Sequence, residues 1–241
     1  MTDPDPTLSQ RLDALKATLD EQGERVRAVV DNAVEALFSG TKDDAQAIID
    51  ADADIDRADV AIERTCVALL QSAAASHNAP LTEADIRMVL TIVKVNNELE
   101  RIADLMVNAV QHAAAFRAMR EGPGIPPAFR VLANSVIGIV QLTVRALRDM
   151  NATDAGIVLK SDDTTEAFKR QLLRDVETRL AQGQGTVDDV FALHAGAASF
   201  ARAADHCTNI AEQIIYVVTG LIVRHEDDRW TEPAPPEETA P

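Results

Sequence analysis

Apolar residues along this chain recur at intervals of three and four positions, which is the spacing of amphipathic helices. A first stripe runs through Leu8, Leu12, Leu15 and Leu19. No sustained apolar–polar alternation bounded by turn residues is present, so strands are not expected. The pattern predicts an all-α protein of six long helices. Their bounds are about 7–38, 42–76, 82–119 and 128–150, then from a turn at 151–154 to about 180, and about 186–224.

Glycine and proline separate the predicted helices. Gly40 ends the first, Pro80 bars continuation of the second, and Gly183 ends the fifth. The clearest break is the EGPGIPP segment at 121–127, which should join two halves of the chain. The predicted organisation is a three-helix bundle over 1–120, a linker over 121–127, a second three-helix bundle over 128–225, and a disordered acidic, Pro-rich tail over 226–241.

The two halves also repeat each other in sequence. The aligned positions include Asp52–Asp56 with Asp162–Glu166 at an offset of 110 residues, and Glu100–Asp104 with Ala201–Asp205 at an offset of 101. The offset falls because the connector around 76–81 is longer than its counterpart in the second half. A duplicated three-helix unit with up-down connections explains this order, with the two bundles end to end or side by side.

Acidic residues interrupt stripes that helix packing requires to be apolar. On the second helix Asp52 and Asp59 fall on the apolar seam, and on the third helix Glu100 does so, with Asp104 one turn further on the same side. The two helices form a hairpin, so Asp52 and Asp56 are expected to face Glu100 and Asp104. Carboxylates held close together repel each other unless a cation lies between them.

Oxygen ligands of this kind favour Mg²⁺, Ca²⁺, Mn²⁺ or iron over a thiolate-type zinc site. The sequence therefore predicts a metal site at Asp52, Asp56, Glu100 and Asp104. A partial second site is predicted at Asp162, Glu166 and Asp205, where Ala201 replaces one acid. The alternative is a solvated acidic stripe that pairs with Arg57, Arg64 or Arg101.

Composition excludes some classes of function. The formal net charge of −16 repels nucleic acid and anionic lipid, and attracts cations and basic protein surfaces. Cys66 and Cys207 are far apart in the sequence and form no metal-binding pattern. We expect both to be buried free thiols, as in proteins of a reducing compartment. No signal-peptide core is found, and no apolar run of about 20 residues is expected to span a membrane. The chain is predicted to be cytoplasmic.

Enzymatic motifs are missing from the sequence. There is no Gly-rich phosphate loop, HExxH or G-x-S-x-G motif. A ferritin-like di-metal oxidase needs Glu-x-x-His, and none of the acids has a histidine at that spacing. His194 resembles a histidine phosphotransfer helix only superficially and is expected at the bundle or its rim. A structural helical adaptor without metal remains the alternative to a metal-binding regulator.

Several motifs together resemble the PhoU-like family of phosphate-regulatory proteins. They are the stretches DADID at 52–56, ERIADLMVN at 100–108 and ADHCTNIAE at 204–212, followed by Tyr216 and Thr219–Gly220. The resemblance covers about residues 8–224. It implies two similar three-helix bundles, a dimer, and metal ions held by acidic motifs. The ion differs among members, so Mg, Mn, Fe or Zn stay open.

The same resemblance implies what the protein does. It implies a non-enzymatic negative regulator of phosphate uptake and of the phosphate-starvation response. The implied partners are the ATPase of a phosphate ABC transporter, a sensor histidine kinase and a second copy of the chain. Nucleic-acid binding and direct membrane insertion are not expected.

Overall fold

A computed structural model describes residues 7–39, 42–75, 81–118, 125–184 and 186–223, without the side chains of 39, 42–43, 113–118 and 162–163. These residues form seven helices and no strand, which confirms the all-α prediction. The helices are α1 (Leu8–Ser39), α2 (Lys42–Ala75), α3 (Glu83–Ala118), α4 (Pro127–Asp149), α5 (Ala152–Leu159), α6 (Asp162–Ala181) and α7 (Val187–Thr219). Most of the predicted linker and all of the predicted tail lie outside the described residues.

The helix starts are set by short polar side chains. Thr82 and Asp85 exchange hydrogen bonds at the start of α3, and Thr186 and Asp189 form the same capping box at the start of α7. The Asn151 side chain accepts hydrogen bonds from two backbone amides of α5. Caps recur at corresponding places because the two halves are copies of one unit.

The predicted fifth helix is wrong in one respect, since it is broken into α5 and α6 at residues 160–161. The Ser161 amide bonds to the Val158 carbonyl oxygen at 3.0 Å, and the Ser161 hydroxyl donates to the same oxygen at 2.6 Å. This tight turn takes the carbonyl that the next turn of a continuous helix would use. The sixth predicted helix also ends earlier than residue 224, at Thr219, because Gly220 adopts φ 77° and closes α7.

The two bundles lie side by side. Helices α1, α2 and α3 pack together, and α7 packs against α4, α5 and α6. The largest contact joins the halves along α3 and α7. Arg87 lies over the Tyr216 ring, Glu98 bonds to His206, and His112 shares a narrow cavity with Gly196, so these two helices run antiparallel.

One continuous core runs through both bundles. It is built mainly from Ala, Val, Leu and Ile, as the low aromatic content requires, with Phe129 and Phe200 in edge-to-face contact. A Cβ at Gly196 would lie 3.1 Å from the Phe129 ring, so glycine permits close approach of α7 and α4. Cys66 and Cys207 are free and buried, and burial raises the pKa of the Cys207 thiol to about 12.

Helix α4 bears on the expectation about membrane-spanning segments. Among the described residues it is the one helix long and apolar enough, by length and composition alone, to cross a membrane. Its apolar face is occupied inside the protein, where Leu132, Val136 and Val140 are buried against the other helices. The core helix of a globular protein passes the same test of length and composition.

Candidate metal site and the contact between the two halves

Packing of α2 against α3 brings the four predicted first-half acids together. Burial, together with the neighbouring charges of Asp56, Asp104 and Glu100, raises the pKa of Asp52 to about 6. Burial also raises the pKa of Glu100, with added repulsion from Asp104. The hairpin prediction was therefore right for Asp52, Asp56, Glu100 and Asp104, which interact across the two helices. We call these four residues the acidic cluster.

Two oxygen atoms of the acidic cluster are buried without a hydrogen-bond partner. They are Oδ1 of Asp52 and Oε2 of Glu100. Arg101 provides partial compensation, since its Nε lies 3.5 Å from Oε2 of Glu100 and its Nη1 lies 3.8 Å from Oδ2 of Asp104. The Arg101 side chain is 55% exposed, so its charge is screened by water. The cluster keeps a surplus of negative charge and of unused acceptors.

The alternative of a purely solvated stripe is supported for part of α2 only. Arg57 pairs with Asp54, an exposed residue on the outer face of the helix. Asp52 is half-buried and Asp54 is exposed, so the two acids differ in environment although they stand two positions apart. The solvated reading therefore describes Asp54 and, through Arg101, part of Glu100 and Asp104, but it leaves the buried Oδ1 of Asp52 unexplained.

The chemistry of the acidic cluster suits a hard cation. All four side chains are carboxylates, two of their oxygens lack hydrogen-bond partners, and a positive ion would offset the burial and repulsion that raise the pKa of Asp52. Across the described residues, however, no three His, Cys, Asp or Glu side chains already converge as a ligand group. A metal at Asp52, Asp56, Glu100 and Asp104 thus stays a prediction that requires side-chain rotation.

The second half has a different surface at the corresponding place. Ala201 is 2% exposed, and Glu166 is engaged by Lys169 at 2.6 Å. Asp205 is exposed on α7, and the side chain of Asp162 lies outside the described part of the structure. Among the described side chains, Glu166 already has a cationic partner and Ala201 supplies no ligand, so the partial site at Asp162, Glu166 and Asp205 stays a prediction.

Asp59 is part of the same electrostatic neighbourhood and was not among the predicted ligands. Its pKa is raised by burial, by Glu63 and by Asp56. The Asn96 amide donates to Oδ1 of Asp59 at 2.6 Å and to its backbone oxygen at 3.1 Å. The interrupted apolar seam contained this signal, because Asp59 and Asn96 both occupy seam positions of facing helices.

A second polar group was missed by sequence reasoning altogether. Oε2 of Glu98 lies 2.6 Å from Nδ1 of His206 and accepts from Nδ2 of Asn209 at 3.1 Å. These contacts join α3 of the first bundle to α7 of the second. His206 and Asn209 stand three apart on one helix face, which indicated a shared partner but not which helix supplies it.

Both halves of the chain match one known protein family. The family model described as the PhoU domain matches residues 19–113 and again 129–214. This chain belongs to the PhoU family. The two matches coincide with the two bundles, so the internal repeat corresponds to two copies of the PhoU domain.

Named relatives and solved structures agree with this assignment. The PhoU accessory protein of the phosphate-specific transport system of Escherichia coli K12 is 24% identical, over 89% of this chain and 86% of that protein. Its homolog from Pseudomonas aeruginosa is 28% identical, over 89% and 86%. The crystal structure of Pseudomonas aeruginosa PhoU aligns with a TM-score of 0.81 at 26% identity, covering 89% of this chain and all of that one.

A further solved structure shows the fold. The phosphate transport system regulatory protein PhoU from Streptococcus pneumoniae aligns with a TM-score of 0.80 at 22% identity, over 90% of this chain and 99% of that one. Together these alignments confirm the pair of three-helix bundles.

Proposed function

We propose that this protein is a non-enzymatic, metal-binding negative regulator of phosphate uptake and of the phosphate-starvation response. The observation that carries the proposal is the alignment of 89% of the chain with accessory proteins of phosphate-specific transport systems. Such a protein acts by contact with other proteins. The proposed partners are the ATPase of a phosphate ABC transporter and a sensor histidine kinase, with the protein acting in the cytoplasm as a homodimer.

The acidic cluster gives this proposal a chemical basis. Asp52 and Asp56 on α2 and Glu100 and Asp104 on α3 would hold the ion, and a bound cation would neutralise the repulsion between the two helices. Asp52 and Glu100 each contribute a buried oxygen without a partner. Arg101 limits the repulsion from the exposed side. We expect the relative position of α2 and α3, and hence the surface offered to a partner, to depend on occupancy.

An acidic protein surface is also consistent with a role in contact rather than in catalysis. A net charge of −16 repels free phosphate and attracts basic surfaces of proteins. The proposal therefore assigns phosphate recognition to the transport machinery and assigns regulation to this chain. Mg, Mn, Fe and Zn are all compatible with the proposed site.

The function is tested by deleting the gene in its source organism and measuring phosphate uptake and a phosphate-starvation reporter in phosphate-rich medium. We expect both to rise, because a negative regulator has been lost. A wild-type copy restores them. The double substitution Asp52→Asn with Glu100→Gln restores them incompletely, whereas Glu166→Gln, which alters one acid of the second half, restores them fully.

Two outcomes would overturn the proposal or part of it. Unchanged uptake and reporter activity in the deletion strain would leave a structural adaptor as the better assignment. Full restoration by the Asp52→Asn, Glu100→Gln protein would keep the regulatory role and remove the metal from it. Equal cellular levels of the three proteins, measured by immunoblot, separate loss of function from loss of folding.

A further inference from the structure

An apolar surface is exposed at the end of the molecule where α3 begins and α7 ends. Ile86 and Leu90 lie one turn apart on α3, and Leu221 and Ile222 follow α7; all four are exposed. Leu90 and Ile222 line one shallow cavity of about 120 Å³ together with Tyr216. We call Ile86, Leu90, Leu221 and Ile222 the apolar patch. Single exposed apolar side chains are common on proteins, whereas a contiguous group of them marks an interaction surface.

A specific turn keeps the second part of the apolar patch at the surface. Gly220 adopts φ 77°, and its amide bonds to the Tyr216 carbonyl oxygen at 2.9 Å. A Cβ at Gly220 would lie 2.6 Å from Nη1 of Arg87, whose guanidinium lies over the Tyr216 ring. The Leu221 amide donates to the Thr219 hydroxyl oxygen at 3.1 Å. These contacts fix the end of α7 against the start of α3 and leave the two residues after Gly220 exposed.

The apolar patch continues into a larger cavity of about 550 Å³ between α2, α3 and α7. The two cavities share Lys94, Glu212 and Gln213, so together they form one groove along α3. The groove extends over α3 from Ile86 to Glu98, which is about 18 Å or three helical turns. A groove of this length accommodates a helix of about twelve residues from another molecule.

The two ends of the groove differ in character. One end is formed by the apolar patch. The other end is acidic, and Glu63 is exposed at its rim, where a partner can reach it. Lys94 is the one basic residue among the described residues that line this end, and the acids that line it are Asp59, Glu63, Glu98 and Glu212. A partner that fits both ends has apolar side chains over one stretch and basic side chains over the next.

Charge also decides between the candidate occupants of the groove. Residues 224–241 carry two arginines against six acids, so the acidic end repels them. A second copy of the chain has the same net charge of −16 and would bring acids against acids here. An anionic membrane surface is repelled for the same reason. A basic helix of a different protein meets no such repulsion.

We propose that this groove binds an amphipathic helix of a partner protein, with its apolar side chains on the apolar patch and its lysine or arginine side chains beside Glu63. The inference rests on the proposed function in one respect, since a regulator that acts by contact needs a surface for its partner. It identifies that surface and the chemistry of the segment that docks there. It does not depend on the metal.

The test is fluorescence anisotropy with a labelled synthetic helix, titrated with the full chain in chelator at physiological ionic strength. The probe has about fourteen residues and no tryptophan, with leucines three and four residues apart over its first half and arginines over its second half. Its reversed sequence is titrated as well, because a helix can enter a groove in either direction. We expect one of the two peptides to bind saturably, and a scrambled peptide of the same composition to bind about tenfold more weakly.

Matched substitutions locate the binding. Ile222→Ser removes a side chain that is 69% exposed in the groove, and Phe191→Ser removes one that is 70% exposed at the other end of α7. We expect the first to weaken binding about tenfold and the second to leave it unchanged. Glu63→Gln should weaken binding about threefold, whereas Glu177→Gln, the same change at an exposed position of α6, should not. Circular dichroism of each variant establishes that a loss of binding is not a loss of fold.

The other occupants have measurements of their own. Trp230 is the one tryptophan of the chain, so its fluorescence reports on residues 224–241. Without peptide, we expect the same Trp230 emission and the same sedimentation for Leu90→Ser and for the wild type. A red shift of that emission in Leu90→Ser would assign the groove to the C-terminal residues of the chain itself, and a change in oligomeric state would assign it to a second copy. Either result would overturn the proposal.

Two peptide results would overturn it as well. They are the absence of saturable binding, and equal weakening by both members of a matched pair, which would indicate diffuse attraction to an acidic or apolar surface. None of these measurements involves phosphate uptake. Failure of the groove therefore leaves the proposed regulation standing, and unchanged uptake in the deletion strain leaves the groove standing.

Discussion

The α2–α3 hairpin of the first bundle and the α6–α7 hairpin of the second occupy corresponding places in a duplicated fold, yet their facing surfaces differ. The first holds the acidic cluster, with unpartnered oxygens on Asp52 and Glu100. In the second, Ala201 is packed in the interior and Glu166 forms an ion pair with Lys169. Three of the four acidic positions keep an acid in the second copy, and the change is Ala201 in place of Glu100.

The difference extends along the helices that join the halves. At the offset of 101 residues, three polar residues of α3 correspond to small residues of α7, with the pairs Asn96 and Ala197, Glu98 and Ser199, and Glu100 and Ala201. All three α7 residues are buried. Small side chains permit close helix packing, and the polar ones create a site. At these three pairs, the first copy therefore has polar side chains that can interact with a ligand or a partner helix, and the second copy has small side chains that allow close packing.

The strongest test of this contrast puts the missing acid back. Ala201→Glu places a carboxylate at a buried position that has no cation, so we expect a loss of about 3 kcal/mol in the free energy of unfolding. Urea denaturation in the presence of chelator measures it. Arg202→Glu introduces the same side chain one residue later, at an exposed position, and should cost far less. Equal losses would mean that the interior of the second bundle accepts charge.

Metal addition should also distinguish the two halves, by a change in the free energy of unfolding slightly smaller than that expected for Ala201→Glu. At a free Mn²⁺ concentration about one hundred times the dissociation constant, binding to the folded state raises the free energy of unfolding by about 2.7 kcal/mol. Thermal unfolding of chelator-treated protein measures this effect. We expect Glu100→Gln to abolish it and Glu166→Gln to retain it. Stabilisation that survives in Glu100→Gln would place the ion elsewhere.

The contact between the bundles should have a measurable coupling energy. Glu98 and His206 lie 2.6 Å apart at the junction of α3 and α7, and both side chains are mostly buried. A double-mutant cycle with Glu98→Ala and His206→Ala should give about 1.5 kcal/mol, as for a hydrogen bond to a charged group. The same cycle on the exposed Glu21–Arg25 pair should give about 0.3 kcal/mol. Similar energies for the two pairs would show that Glu98 and His206 do not hold the bundles together.

The smallest expected effect is a pH dependence centred on Asp52. Its pKa is raised to about 6 from an ordinary value of 3.8, so the folded protein binds this proton more tightly than the unfolded chain does. The stabilising contribution is complete below about pH 4 and is lost as pH rises to about 6. Because the residue is only partly buried, we expect about 1 kcal/mol after solvent screening.

Asp52→Asn should flatten that dependence. In chelator, the variant should be more stable than the wild type at pH 7 and similar to it at pH 4, as followed by urea denaturation at a series of pH values. Some slope should remain, because the pKa of Glu100 and that of Asp59 are raised as well. Asp54→Asn, at an exposed position two residues away, is the matched control and should leave the slope intact.

Much of the fold followed from the sequence because helices are encoded locally. The spacing of Leu12, Leu15 and Leu19 predicted a buried face, and all three are buried. The capping residues Thr186 and Asp189 fixed the start of α7 at the predicted place. The break at Ser161 was missed because it depends on a hydroxyl that competes for one carbonyl oxygen, and no Gly or Pro marks it.

The acidic cluster could be predicted because a hairpin brings together residues whose separation along the chain is set by one turn. Asp52 and Glu100 share a hairpin, and both interrupt an apolar seam. Glu98 and His206 are 108 positions apart and belong to different bundles. Helical periodicity gives the face on which each residue lies but not the neighbour that the face meets.

The sequence by itself determined the helices, the duplication and the acidic character of one hairpin, because each depends on spacing within about four residues or on a direct match between two segments. The tertiary structure alone decided that the bundles lie side by side along α3 and α7, and that residues of α2, α3 and α7 line one cavity. Those features depend on which helix faces pack against each other, and that is set by the packing of the whole core.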